Sequence, residues 1–218
     1  MKWLFLMLIG ISAMAQKPFS IRLNEIKTDI SQPGRRLFYL TYSIANESAK
    51  PIAFFLSSPD ILIPQISSSS SPYVHYRLFQ NGKPVDAPGL FTFGVANRFS
   101  EAEMDRKMDS VRKENRDVDM LLKKRRQNMK RSLIRLDPKQ TKTFSVIMGW
   151  DLQRYQTYDE IEYYLEPNDS YTLELSVHLM KEDLSAEFKA LKMEHLLNEP
   201  DLITGWFTSN RLLIDLSQ

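Results

Sequence analysis

The side chains best suited to proton transfer or metal ligation in this chain are His75, His178 and His195. None has a second histidine two to five residues away, the spacing at which one strand or one helical turn would offer two imidazoles to a metal. His195 and Glu199 are one helical turn apart, where a carboxylate can orient a general base. A lone pair of that kind is a surface hydrogen bond before it is a catalyst. Asp159, Glu160 and Glu162 supply neighbouring carboxylates without fixing the separation that glycoside hydrolysis requires. The chain has no cysteine, which removes thiol nucleophiles and disulfides, and its seven glycines form no G-x-S-x-G elbow and no phosphate-binding loop. The residue types therefore point to no enzyme, no metal and no cofactor.

Binding chemistry is better represented. Trp150, Tyr155, Tyr158 and Trp206, with Tyr163 and Tyr164, offer flat rings that stack on sugars; the same rings serve equally well to fill the ends of a core. Lys123, Lys124, Arg125, Arg126, Lys130 and Arg131 form a cationic run with no acid among them. From Arg98 to Arg131 there are twelve basic and seven acidic side chains, net +5, in a chain whose formal net charge is only +2. The excess is local, so bulk electrostatics favours no nucleic acid, whereas this one segment suits an anionic polymer or lipopolysaccharide.

The segment that must carry those cations reads as a helix. It contains no proline or glycine, Ser100 and Glu103 form a capping box, Glu101 and Asp105 occupy the first turn, and the cations occupy the last. Met104, Met108, Val111, Asn115, Val118, Leu122, Arg125 and Met129 follow alternating steps of four and three, a heptad stripe with polar interruptions. In a parallel homodimer Lys107 would face Arg112 and Glu114 would face Asp119, which repels, so the stripe is expected to pack on its own sandwich, an antiparallel pair or a different partner being the alternatives. As one helix, Glu101 to Arg131 would be about 46 Å long; a helical hairpin breaking near Glu114-Asn-Arg-Asp117 is the alternative, and the absence of glycine and proline favours the single helix. The partner-binding candidates are Met104, Met108, Val111, Lys123, Lys124, Arg125, Arg126, Lys130 and Arg131. This insertion, residues 100–131, is expected to be dispensable for folding and needed for binding.

Everywhere else the pattern alternates with period two. Phe19, Ile21 and Leu23; Phe38, Leu40, Tyr42 and Ile44; Val74, Tyr76 and Leu78; Phe144, Val146 and Met148; and Leu212, Ile214 and Leu216 each alternate with mostly polar or small residues. Leu173, Leu175, Val177 and Leu179 make the cleanest strand, with Glu174, Ser176 and His178 turned outward. Asn81-Gly82 is a two-residue hairpin signal, since both positions of such a turn need positive φ. Leu184, Phe188, Leu191 and His195 follow helical spacing and predict a short helix before Pro200. Seven to nine strands with one apolar face each are buried by packing two sheets face to face. The expected fold is mainly β: an antiparallel sandwich over residues 16–99 and 132–218, interrupted by the charged helix.

Three stretches sharpen that expectation. Tyr42-Ser-Ile-Ala-Asn-Glu-Ser-Ala-Lys-Pro-Ile52, Ile134-Arg-Leu-Asp-Pro-Lys-Gln-Thr-Lys-Thr-Phe144 and Gly205-Trp-Phe-Thr-Ser-Asn210 resemble the turns and core positions of immunoglobulin-like domains of exported, Bacteroidota-type bacterial proteins. The resemblance implies an immunoglobulin-like sandwich and hardly restricts function.

Residues 1–15 supply the expected address. Lys2, the apolar run Trp3 to Met14 and the small-x-small end Ala13-Met14-Ala15 read as a signal peptide, the run being too short to span a membrane. With no cysteine behind the leader, a lipoprotein is not expected; the mature chain would begin at Gln16 in the periplasm or outside the cell, without a transmembrane anchor. Asn46-Glu-Ser48 and Asn168-Asp-Ser170 match the N-glycosylation acceptor, and Asp109-Ser110-Val111 an O-glycosylation acceptor, all discounted by the bacterial leader or the helical context. The resulting expectation is a non-catalytic exported module that binds another envelope protein. Glycan binding through exposed aromatics, or anionic-polymer contact through the basic helix end, is the alternative.

Overall fold

A computed structural model of the chain describes residues 18–56, 61–62, 73–85, 91–93, 118–151 and 169–216. The predicted alternation appears as antiparallel sheets. In the first, Phe19–Asp29 (β1) pairs with Arg35–Asn46 (β2), which pairs with Thr141–Asp151 (β9), which pairs with the short Thr92–Phe93 (β7). In the second, Gly205–Ile214 (β11) pairs with Tyr171–Leu179 (β10), and β10 pairs with Val74–Gln80 (β5). Lys83–Val85 (β6) returns along β5 through Asn81 and Gly82, whose φ values of 51° and 77° are the positive ones that the turn requires. Ile61–Leu62 (β4) adds a two-residue parallel pairing to β5. Ile52–Phe55 (β3) and Leu133–Leu136 (β8) pair separately.

The apolar faces of the two larger sheets share one core. Phe19, Ile21 and Leu23 from β1, Phe38, Leu40, Tyr42 and Ile44 from β2, and Val146, Met148 and Trp150 from β9 meet Val74, Tyr76 and Leu78 from β5 and Leu173, Leu175, Val177 and Leu179 from β10. On β10 Glu174 and Ser176 are half-buried on the outer face, as alternation dictates. His178 also points outward but is buried, because Trp206 lies across it.

The edges of the two sheets meet at β1 and β11. Both strands carry a register shift there, at Leu23/Glu25 in β1 and opposite Glu174/Ser176 in β11. Asn210, in the irregular part of β11, accepts a hydrogen bond from Leu23 N at 2.9 Å and donates one to Leu23 O at 3.0 Å. A primary amide offers the same donor and acceptor as a peptide group, so this side chain substitutes for a rung of ladder between the sheets. The distortion leaves Leu175 N without a strand carbonyl, and the Ser209 hydroxyl accepts its bond at 2.8 Å.

β3 departs from alternation: all four of its residues are buried. Phe54 faces the main core, while Phe55 faces a second cluster with Met129, Leu184, Phe188, Leu191, Met193 and Leu197. That cluster joins the helix Val118–Ser132 (α1) to the helix Lys181–Leu191 (α2) and to a 3-10 turn, Glu194–Asn198. Two expectations change here. Lys192 takes the left-handed conformation, φ 57°, and its N–H caps α2, so His195 falls outside that helix and is exposed on the 3-10 turn. The buried seam of α1 runs through Leu122, Arg126 and Met129 and not through Arg125, which is exposed. The part of the predicted helix before Val118 lies outside the described residues, so the single 46 Å helix is not shown. Among the described residues no helix is long and apolar enough to cross a membrane.

Candidate functional site

At 100° per residue, Leu122, Arg126 and Met129 share one side of α1 and Lys124 and Arg131 lie opposite. The anchored side is fixed twice. Leu122 and Met129 enter the second core, and Arg126 Nε donates to Leu191 O at 3.0 Å, satisfying a carbonyl at the C-terminal end of α2. Arg126 is therefore an anchor and not a displayed cation. Lys123, Lys124, Arg125, Lys130 and Arg131 are exposed, with Met120 also turned to solvent. The apolar candidates Met104, Met108 and Val111 lie outside the described residues.

The aromatic candidates separate. Trp150 is 2% exposed, packed in the main core beneath the Arg36 guanidinium at 5.6 Å, so its ring has no face for a sugar. Arg36 is in turn held by Asp215, donating from Nη1 to the backbone oxygen at 2.8 Å and lying 3.4 Å from the carboxylate. Tyr155, Tyr158, Tyr163 and Tyr164 lie outside the described residues, as do Asp159, Glu160 and Glu162. Trp206 is 54% exposed on the outer face of the second sheet.

That outer face is ordered in rows by the strand register. Trp206 stands directly opposite His178, ring centroids 3.4 Å apart, and His178 stacks on buried His75 at 5.1 Å and 26°. The histidines turn ring faces toward each other, an arrangement for stacking and not for sharing a ligand. One row along, Thr208 opposes Ser176, and Ser176 opposes His75. In the next row Glu174 lies between Arg211 and Arg77. Its carboxylate accepts from Arg211 Nε at 2.9 Å, while Arg211 also covers buried Phe79, Cζ 3.4 Å from the ring centroid. Arg77 is exposed and has no ion pair among the described residues. Arg77, Glu174 and Arg211 escape sequence reasoning because the row exists only once the register and the irregularity in β11 are known.

Burial holds the His178 imidazole down to about 4, with His75 adding to the depression; Asp183 of α2 opposes it and Arg77 of β5 reinforces it. The ring is neutral at neutral pH. Its folded pKa lies below the unfolded value of 6.5, so between those values the unfolded chain binds the proton and the folded one does not. Stability is thus expected to fall as pH drops through that window. Urea midpoints at several pH values check this: His178→Phe, which keeps a ring under Trp206, should show a shallower decline than the parent chain.

The remaining candidates have structural partners. Glu199 accepts from Arg135 at 2.8 Å, so it is engaged away from His195. Asn46 of the Asn-Glu-Ser acceptor motif is 0% exposed and its amide nitrogen donates to three backbone carbonyls, which closes it to glycosylation in the folded chain. Comparison of the chain with protein-family models, curated proteins and solved structures finds no match.

Proposed function

We propose that this chain is a non-catalytic, exported binding module of the cell envelope, an immunoglobulin-like sandwich whose partner is another envelope protein with an acidic surface. The observation that carries the reading is the mounting of α1: its apolar side is consumed by the second core, and Lys123, Lys124, Arg125, Lys130 and Arg131 project from the remainder. A helix anchored in this way presents its charges at fixed positions and loses little freedom on docking. Two antiparallel sheets around one core support the sandwich, and the leader supports export.

Charges at a wet surface act through the association rate and are screened by salt. Neutralising the five exposed cations to glutamine should therefore abolish capture of the partner from envelope extract and leave the denaturation midpoint unchanged. Capture by the parent chain should weaken as salt rises. A variant that still captures the same partner, or parent capture indifferent to salt, would refute the helix as the docking surface. N-terminal sequencing of the exported form should begin at Gln16; recovery of Met1 would remove the export.

A further inference from the structure

We propose a second, independent binding surface on the outer face of the second sheet, a strip running from Trp206 past Thr208 and Ser176 to Arg77, that takes an acidic oligosaccharide. Trp206 supplies the platform: it is 54% exposed, and the His178–His75 stack beneath it fixes the orientation of the indole. A pyranose ring offers axial C–H groups to such a face, a contact that needs flat support and no pocket. The hydroxyls of Thr208 and Ser176 occupy the next row. Beyond them the Glu174–Arg211 pair presents a planar carboxylate and a planar guanidinium, geometry suited to vicinal sugar hydroxyls.

Charge decides the class of sugar. Glu174 gives its carboxylate to Arg211, and Arg77 on the other side has no ion pair among the described residues, leaving the row one positive charge in excess. A carboxylate on the ligand supplies the missing partner. Two rows along the strands and two strands across separate Trp206 from Arg77 by roughly 16 Å, a run of about three pyranose rings. An exposed indole at one end and a row of hydroxyls between it and the charged row favour sugar over an acidic peptide.

Titration calorimetry of the full chain with trigalacturonate tests the proposal, with a neutral trisaccharide and a tri-glutamate peptide as comparisons. The expected result is binding with Kd of about 1 mM or tighter. Trp206→Ala should weaken it by about tenfold or more, and Trp206→Phe by less. Arg77→Ala should weaken the acidic sugar while leaving the neutral one unchanged, and Arg77→Lys should restore part of the loss. Arg77 is exposed, so its variants should match the parent in circular dichroism and urea midpoint, while Trp206→Phe, which keeps a ring over His178, controls for the packing that Trp206→Ala removes. No binding at about 10 mM, equal affinity for tri-glutamate, or affinity lost on neutralising Lys124 and Arg131 but kept in Trp206→Ala would each overturn the assignment. The last result would place the anion on α1, so failure here and failure of the helix reading remain distinguishable.

Discussion

Asn46→Asp is expected to destabilise the protein by about 3–5 kcal/mol at neutral pH, a large share of the 5–15 kcal/mol that holds a typical domain together. Asn46 ends β2 with no exposed surface. Its Nδ2 donates to Lys50 O at 2.8 Å, Leu136 O at 3.1 Å and Asp137 O at 3.0 Å, while its Oδ1 accepts from Ser48 N at 2.9 Å and Ser48 Oγ at 2.7 Å. One amide thereby joins the turn after β2 to the turn after β8. Aspartate would keep the acceptor and replace the donor with a second negative oxygen facing three carbonyls. Protonation restores one donor, so the variant's penalty should shrink as pH falls toward the carboxyl range and grow as pH rises above about 4. Urea denaturation at pH 4 and pH 7 measures both effects. Equal loss at the two pH values, or a loss below about 0.5 kcal/mol, would show that the site relaxes or hydrates and that Asn46 is not the clamp.

Phe188→Ala is expected to cost about 3–5 kcal/mol and to release α1. Phe188 is fully buried, edge-on to Phe55 at 4.9 Å, in the cluster that also holds Met129 and the half-buried Leu122 of α1. Removing it leaves a cavity under the helix where no sheet can close in, because Phe55 is fixed in β3 by the pairing to β8. Trypsin should then cut at Lys123, Lys124, Arg125 or Arg126 faster than in the parent chain, before cleavage at Arg35 or Arg36 of β2. Unchanged cleavage at those four positions would mean that α1 holds its place without the second core. The same packing revises the expectation that the whole insertion is dispensable: residues 118–132 fill a core, so a linker in their place would uncover Phe55 and Phe188.

Much of the sheet architecture was legible because burial on one face imposes a period of two. Leu173, Leu175, Val177 and Leu179 are all buried as read, and Asn81-Gly82 makes the turn its residue types require. β3 escapes a period-two reading, since a strand between two cores has no polar face to alternate. The seam of α1 slipped by one position because a heptad treats Arg125 and Arg126 alike, whereas only Arg126 reaches the carbonyl of Leu191. α2 ended early because nothing about Lys192 announces a left-handed residue. Of the candidate surfaces, the cations of α1 could be named from composition. Trp206 could be named but not told apart from Trp150, because exposure of an aromatic is a property of its neighbours across strands.

The Asn210 bracket also carries a kinetic consequence. It ties positions 187 residues apart, so β1 must wait for β11 before the facing edges of the two sheets can close. Until then β1 has β2 on one flank and a row of unpaired peptide groups on the other, the kind of edge that pairs with other chains. Contacts between such distant parts of a sequence form slowly, because loop closure must be completed before they reward it. A chain emerging gradually would therefore accumulate as an open, adhesive intermediate and close only after its last strand arrives. Asn210→Ala should lengthen the life of that intermediate, raising the yield of aggregate on refolding at high concentration more than it lowers equilibrium stability.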